Sequence, residues 1–398
     1  MKIALVHMRH AKSGGTERYL NHLSQFLAEK GHEVTIVCRS NVGSEHPRIR
    51  FVVLREFAIG GAWRMRAFAR AVEKHVAESH YDVVFGLGKT STHDVVRMGG
   101  GLHSTYLRLA HEQTLSTFEK LIGKGKSKHR FALENEKRAF APGAVQRVIT
   151  NSEMVARDLI QQHAVDKRII DVIYNGVDTE RFDRTRHAET AASLRAECGF
   201  EKDNVVLLFL GTGYGRKGLD LVQQAFAKIA ATVPAARLLV VGFDSARSTY
   251  EARGAELGIA ERSCYLGGRL DPETCYAAAD LYCLPTRYDP FANSTLEALS
   301  SGLPVVTSDT NGGSELIEPA VQGDVIAVSD GPKALTRALT PWFDEAHRAA
   351  GRDAARALAL RHTIESKLEE TLRVLTKVAS GPAEQAPGEV ALGRSRPT

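Results

Sequence analysis

The same order of segments occurs twice in this 398-residue chain: a short β-branched run, a glycine-rich loop, then an amphipathic run. Near the start these are Ile3-Ala4-Leu5-Val6, then Ser13-Gly14-Gly15-Thr16, then Glu17 to Lys30. In the last of these, Leu20, Leu23, Phe26 and Leu27 are spaced for one helical face and Gly31 for its cap. Past the middle they are Val205 to Leu210, then Gly211 to Gly218, then Leu219 to Ala231. A strand that feeds a helix and returns to a parallel strand is a βαβ unit, so two such series predict two α/β domains on parallel sheets. The length agrees, at about 100–200 residues per domain.

Further strands are predicted at Val34–Val37, Phe51–Leu54, Asp82–Phe85, Leu238–Val241, Tyr282–Pro285 and Pro304–Thr307. Helices are predicted from Trp63 to Glu78 and near Ser294–Ser300, with Gly302 at the latter's end. Residues 183–203 are polar and charged and mark the junction, which gives domains of 1–180 and 181–354. A long helix is predicted from about Arg352 to Val378. The tail 379–398, with Gly381-Pro382 and Pro387-Gly388, reads as disordered.

With 43% hydrophobic and 25% charged residues, the chain is globular rather than disordered, collagen-like or coiled-coil. Its 52 Lys+Arg exceed its 47 Asp+Glu by five, and the nine Lys/Arg against four Asp/Glu between Gly101 and Val148 account for the whole excess. The five cysteines contain no C-x-x-C, which argues against a disulfide framework and a zinc site. The opening lacks a signal-peptide core, and no apolar run reaches the ~18 residues a membrane span needs. A reducing, cytosolic setting is expected.

A glycine loop leading into a helix exposes backbone N–H groups where the helix dipole favours an anion. Gly14-Gly15 offers one such loop. In the second, Gly213, Gly215 and Gly218 satisfy G-x-G-x-x-G after a strand, and Asp244 follows the next strand. A dinucleotide-dependent oxidoreductase is therefore one reading. That reading leaves Arg216 and Lys217 unexplained, since two cations inside the turn suit a departing diphosphate. A third constellation runs Asp289-Pro290-Phe291-Ala292-Asn293-Ser294-Thr295-Leu296-Glu297. Two carboxylates eight residues apart flank a helix N-terminus at the carboxyl end of a strand, where open α/β sheets take ligands. Glu297 could accept the vicinal hydroxyls of a ribose, and the intervening N–H groups an anion or sugar hydroxyls.

Several of these residues together resemble the retaining glycosyltransferases of family 4. They are Gly14-Gly15 before a helix ending Glu29-Lys30-Gly31-His32-Glu33-Val34, Thr150-Asn151-Ser152, Asn175-Gly176-Val177-Asp178 with Phe182, Gly215-Arg216-Lys217-Gly218, and Glu297-Ala298-Leu299 with Gly302-Leu303-Pro304-Val305-Val306. The resemblance covers residues 1–375. The Arg216-Lys217 loop and Gly86-Leu87-Gly88-Lys89 look most like the bacterial branch that glucosylates heptose in the lipopolysaccharide core. It implies a GT-B fold: two Rossmann-like doubly wound domains facing a central cleft, with the C-terminal helix (355–378) packing back on the first. The first domain would hold a lipid-linked saccharide acceptor, the second a nucleotide sugar, UDP-glucose or similar.

Carried over, Arg216 and Lys217 match the diphosphate cations and Glu297 the ribose carboxylate. Asp289 matches the first acid of the E-x7-E motif that handles the donor sugar, here one methylene shorter than the commoner Glu. His103 falls where the family places an active-site histidine, although His7, His10 and His93 also lie near strand ends. Gly14, Gly15, Gly215, Phe291, Ala292, Asn293 and Ser294 would complete the donor site. The sequence holds no D-x-D or H-E-x-x-H, so neither metal nor other cofactor is expected. A non-catalytic nucleotide-sugar binder is the remaining alternative.

The basic stretch 108–138 mixes cations with Leu115, Phe118 and Ile122, which are spaced for an apolar stripe. Such a segment could lie on the anionic inner face of the cytoplasmic membrane, or could be an active-site lid whose charges face water. No module for nucleic acid is present.

Overall fold

The computed structural model describes residues 1–11, 14–43, 46–88, 90–111 and 126–381. Seven parallel strands form the first sheet: β1 (Lys2–Val6), β2 (Glu33–Cys38), β3 (Ile49–Val53), β4 (Val83–Gly86), β5 (Val95–Met98), β6 (Arg147–Thr150) and β7 (Ile170–Val172), in the order β3-β2-β1-β4-β5-β6-β7. The second has six: β8 (Val205–Leu210), β9 (Ala236–Val241), β10 (Ser263–Gly267), β11 (Leu281–Leu284), β12 (Val305–Ser308) and β13 (Gly323–Ile326), in the order β10-β9-β8-β11-β12-β13. Each order reverses direction beside the domain's first strand, between β1 and β4 and between β8 and β11. Loops that leave the carboxyl ends there diverge and open a crevice.

The first domain carries α1 (Gly15–Glu29), α2 (Gly61–Ala77), α3 (His103–Tyr106), α4 (Lys126–Ala139) and α5 (Glu153–His163). The period-two alternation of β1 explains its two-sided cover. Ile3 and Leu5 pack with Leu20, Leu23 and Leu27 of α1, while Ala4 and Val6 pack with Phe68 and Val72 of α2. The second domain carries α6 (Ala188–Glu197), α7 (Tyr214–Lys217), α8 (Leu219–Ala230), α9 (Arg247–Glu256), α10 (Pro272–Ala277), α11 (Asn293–Ser300) and α12 (Gly331–Leu339) around one core.

The chain crosses between the domains twice. Ile173 belongs to the first-domain core and Val177 and Phe182 to the second. The helix expected from Arg352 to Val378 is in fact two, α13 (Glu345–Leu360) and α14 (Ile364–Ala379). Thr363 breaks them by capping α14, its Oγ1 accepting the Ser366 N–H at 3.2 Å. The break turns the chain back, so α13 packs on the second domain while Leu368 and Leu375 of α14 enter the first-domain core. The two crossings lie side by side: Val177 donates to His362 O at 2.9 Å and Ile364 to Val177 O at 3.3 Å. Gly176 permits this approach, because a Cβ there would sit 2.5 Å from Ile364 Cα.

Contrary to the reading from cysteine spacing, the described residues contain a disulfide. Cys198, which ends α6, and Cys264, on the edge strand β10, form a disulfide across 66 residues with Cα atoms 5.6 Å apart. Cysteine spacing could not reveal a pair that only the packing of α6 beside β10 brings together. The stripe at Leu115, Phe118 and Ile122 and residues 382–398 of the tail lie outside the described residues. Among the described residues no helix is long and apolar enough to cross a membrane.

Candidate functional site

A cavity of about 410 Å³ opens where the carboxyl ends of the two sheets meet. Gly15, Arg18, Arg97 and Asn175 line it from the first domain, and Asp289, Phe291, Asn293 and Glu297 from the second. A second cavity, of about 370 Å³, continues it into the first domain; the two share Thr16, Glu17, Arg97, Gly99 and Gly100. His103 and His7 line the second cavity, whereas His10 and His93 line neither.

Gly14 begins α1 at φ 111°, and a Cβ there would lie 2.1 Å from Glu17 Oε2. The loop after β8 is similarly tight, here against backbone. Gly213 (φ 79°) and Gly218 (φ 82°) bracket the single turn of α7, and a Cβ on Gly218 would meet Pro285 O at 2.2 Å. This turn aims Arg216 and Lys217 at the loop after β11. Lys217 Nζ lies 2.5 Å from Asp289 Oδ2, and Arg216 Nη1 lies 3.2 Å from the same oxygen and 3.0 Å from Tyr288 O. Burial raises the Asp289 carboxyl's pKa, but the two cations outweigh it and hold the group below its ordinary value. Burial likewise lowers the Lys217 ammonium, with Asp289 opposing. The cations thus reach the cavity wall through Asp289, and neither they nor Gly215 lines the cavity itself.

Glu297, on the second turn of α11, is buried, and burial raises its pKa. Tyr276 donates its hydroxyl to Oε2 at 2.9 Å, while Arg18 of the first domain stands 3.8 Å from Oε1. Two of the N–H groups between Asp289 and Glu297 are already engaged within the protein. The Phe291 N–H goes to Asp289 Oδ1 at 3.2 Å and the Ala292 N–H to Asn311 Oδ1 at 3.1 Å, so these two shape the loop. Asn293 accepts from Asn175 Nδ2 at 2.5 Å across the cleft; Ala292 and Ser294 stay off the cavity lining. Asp244 is also engaged: its oxygens accept Tyr214 N–H at 2.6 Å and Ala246 N–H at 2.8 Å.

Behind His103, the buried Glu136 accepts that residue's backbone N–H at 2.6 Å, and His129 Nδ1 lies 2.9 Å from its Nε2. The sequence reading missed Arg97. It is buried, 4.0 Å over the Tyr19 ring, and donates to Asn175 at 2.6 Å. Its signal was a charge closing the run Val95-Val96-Arg97-Met98, just before Gly99. Asn175, met in the sequence only within the Asn175-Gly176-Val177-Asp178 motif, is the second link in that chain from β5 to α11. Among the described residues no group of three or more His, Cys, Asp or Glu is placed to hold a metal ion.

Comparison with known proteins agrees with this architecture. Residues 13–181 match the model "Glycosyltransferase Family 4" and residues 191–357 the model "Glycosyl transferases group 1". Lipopolysaccharide glucosyltransferase WaaG of Escherichia coli is 23% identical over 85% of this chain and 88% of its own. The D-inositol 3-phosphate glycosyltransferase of Mycobacterium marinum is 28% identical over 80% of this chain and 71% of its own. The crystal structure of WaaG superposes with a TM-score of 0.77 over 94% of this chain and 99% of that one, at 23% identity. Anabaena HepE in complex with UDP-glucose gives 0.68 over 95% and 100%, at 20% identity.

Proposed function

Because the halves of this chain are glycosyltransferase domains of family 4 and group 1 in a GT-B arrangement, we propose that it is a retaining, metal-independent hexosyltransferase that moves a sugar from UDP-glucose or a similar donor to a lipid-linked saccharide. The observation that carries the reading is Asp289 on the wall of the interdomain cavity, paired from behind with Arg216 and Lys217, with Glu297 lining the same cavity. In this reading the second domain (181–354) holds the nucleotide sugar and the first (1–180) the acceptor. Glu297 takes the ribose hydroxyls and Asp289 the donor sugar, with Gly15, Phe291 and Asn293 shaping the pocket.

Breaking the sugar–phosphate bond places negative charge on the diphosphate and positive charge on the sugar ring. Arg216 and Lys217 stabilise the leaving diphosphate from a largely dry wall, where fixed charges act most strongly. The leaving phosphate takes the acceptor's proton on the face it departs from, so the configuration is kept without a dedicated base. His103 lies in the second cavity, where the acceptor approaches. The UDP and UDP-glucose complexes of HepE support the choice of nucleotide, and WaaG supports the acceptor class. The engagement of Asp244 with backbone N–H groups weighs against a dinucleotide ribose in its place.

We place the acceptor side at an anionic membrane face. Lys128 and Arg130 at the start of α4 are exposed. Phe57, Ile59 and Trp63, in and just after the loop following β3, are 92%, 78% and 64% exposed between exposed Arg55 and Arg64. Apolar side chains flanked by Arg55 and Arg64, with Glu56 the one acid among them, suit a headgroup layer. A panel of nucleotide sugars tests the function. UDP release from one UDP-hexose with a lipid-linked acceptor is expected; a melting shift with NAD but none with UDP would overturn it.

A further inference from the structure

The N-terminus of α5 belongs to the first domain, yet its capping groups are divided between the two. Ser152, fully buried, accepts Val155 N–H at 3.3 Å as the helix cap and donates its own hydroxyl to Pro290 O of the second domain at 2.8 Å. The N–H groups of Glu153 and Met154 both go to one second-domain carboxylate, Glu315 Oε2 and Oε1, at 2.7 Å each. Arg157, one turn on, stands 3.9 Å from Oε1. Gly312 lies between: a Cβ there would meet Pro290 O at 1.9 Å and Ser152 Cβ at 2.6 Å. Gly312 N–H in turn donates to Asp289 O at 2.9 Å.

We infer that Glu315 is a positioning residue for transfer: by seating on the α5 N-terminus it fixes the Asp289 loop relative to the acceptor domain. The carboxylate suits the place because it offers two acceptors to two converging N–H groups and a negative charge to the positive end of a helix dipole. Through Pro290, Gly312 and Ser152 the contact reaches the residue that pairs with Lys217. In the proposed reading the nucleotide is held by Arg216, Lys217 and Glu297, which lie outside the Ser152, Pro290, Gly312 and Glu315 contact, so loss of alignment can be read apart from loss of UDP binding.

The inference rests on the transferase reading, and the test keeps the two apart. Glu315→Gln leaves one acceptor oxygen for two N–H groups and removes the charge. It is expected to lower kcat at least tenfold while the Kd for UDP stays within threefold. Spin labels on exposed Gln25→Cys and Lys228→Cys report the interdomain distance, which should be narrow in the parent and broad in the variant. Unchanged kcat and distance would overturn the inference, as would a lowered Tm with unchanged kcat below it, since the contact would then be structural only. Should Glu315→Gln fail to fold, Glu315→Asp, charged but one methylene short of both N–H groups, decides by the same readouts. If the parent releases UDP from no nucleotide sugar, the transferase reading falls, and the distance measurement still decides whether Glu315 aligns the domains.

Discussion

Lys217 can be removed in a way that separates its two roles. In Lys217→Met, Asp289 keeps Arg216 at 3.2 Å but loses the ammonium at 2.5 Å. Breaking a buried pair from one side costs about 3–5 kcal/mol; with Arg216 still present the lower value applies. For a domain of 150–250 residues, about 3 kcal/mol is a fall in Tm of roughly 6–12 °C. Turnover should fall by ~10²–10³, the scale of losing one charge-stabilising donor worth ~2.7–4 kcal/mol. Adding Asp289→Asn removes the under-compensated charge while keeping an acceptor for the Phe291 N–H. The double variant should regain most of the lost Tm and none of the lost turnover. Melting curves and UDP release at saturating donor measure the two effects. Turnover within threefold of the parent in Lys217→Met would refute the assignment. Recovery of activity with stability in the double variant would show that Lys217 acts through the fold alone.

Three other outcomes follow from particular contacts. His93 is buried, and burial pushes its imidazole down to about 4, while an unfolded chain binds the proton near 6.5. The unfolded state therefore gains the proton first. Stability from this group is present above pH 6.5 and lost as pH falls toward 4, by up to ~3 kcal/mol, and Tm against pH should flatten over that window in His93→Gln. Replacing Phe57, Ile59 and Trp63 together with Ser should abolish sedimentation with anionic vesicles at moderate salt and leave turnover on a water-soluble acceptor unchanged; retained sedimentation would remove this surface from the membrane reading. Leu375→Ala on α14 should cost ~2–5 kcal/mol, because the side chain is fully buried in the core of the other domain. Limited proteolysis should then cut near Arg361 sooner than in the parent.

The parts legible in the sequence were those fixed by local chemistry. β1 and β8 announce themselves as unbroken apolar runs before glycine loops, and α1 by its i, i+3, i+7 leucines. What the sequence hid depends on distant partners. Asp289 could be placed beside a helix start but not against Lys217, 72 positions earlier, and the Ala292 N–H could not be known to end on Asn311. The break at Thr363 carried a signal, a capping Thr followed by Ser366, but the amphipathic pattern on both sides obscured it. The Cys198–Cys264 bond exists only once the second sheet is wound, and the passage from Arg97 through Asn175 to Asn293 only once both are.

The pairing of Asp289 with both cations also makes a demand on donor binding. A diphosphate that engages Arg216 and Lys217 must displace a carboxylate already seated at 2.5 Å and 3.2 Å, and the displaced carboxylate is then released toward the sugar. On the proposed reading, diphosphate and sugar recognition are coupled: UDP without a sugar would part the pair and give Asp289 nothing in return. Asp289→Asn removes the competitor and leaves the buried Lys217 and half-buried Arg216 without their carboxylate, so UDP should bind at least tenfold more tightly, about 1.4 kcal/mol. Its stabilisation of the variant's Tm should exceed that of the parent, while transfer falls because the sugar loses its charged acceptor. Calorimetric titration with UDP measures the first effect and product formation the second. UDP affinity unchanged or weakened in Asp289→Asn would mean that the diphosphate lies elsewhere than on Arg216 and Lys217.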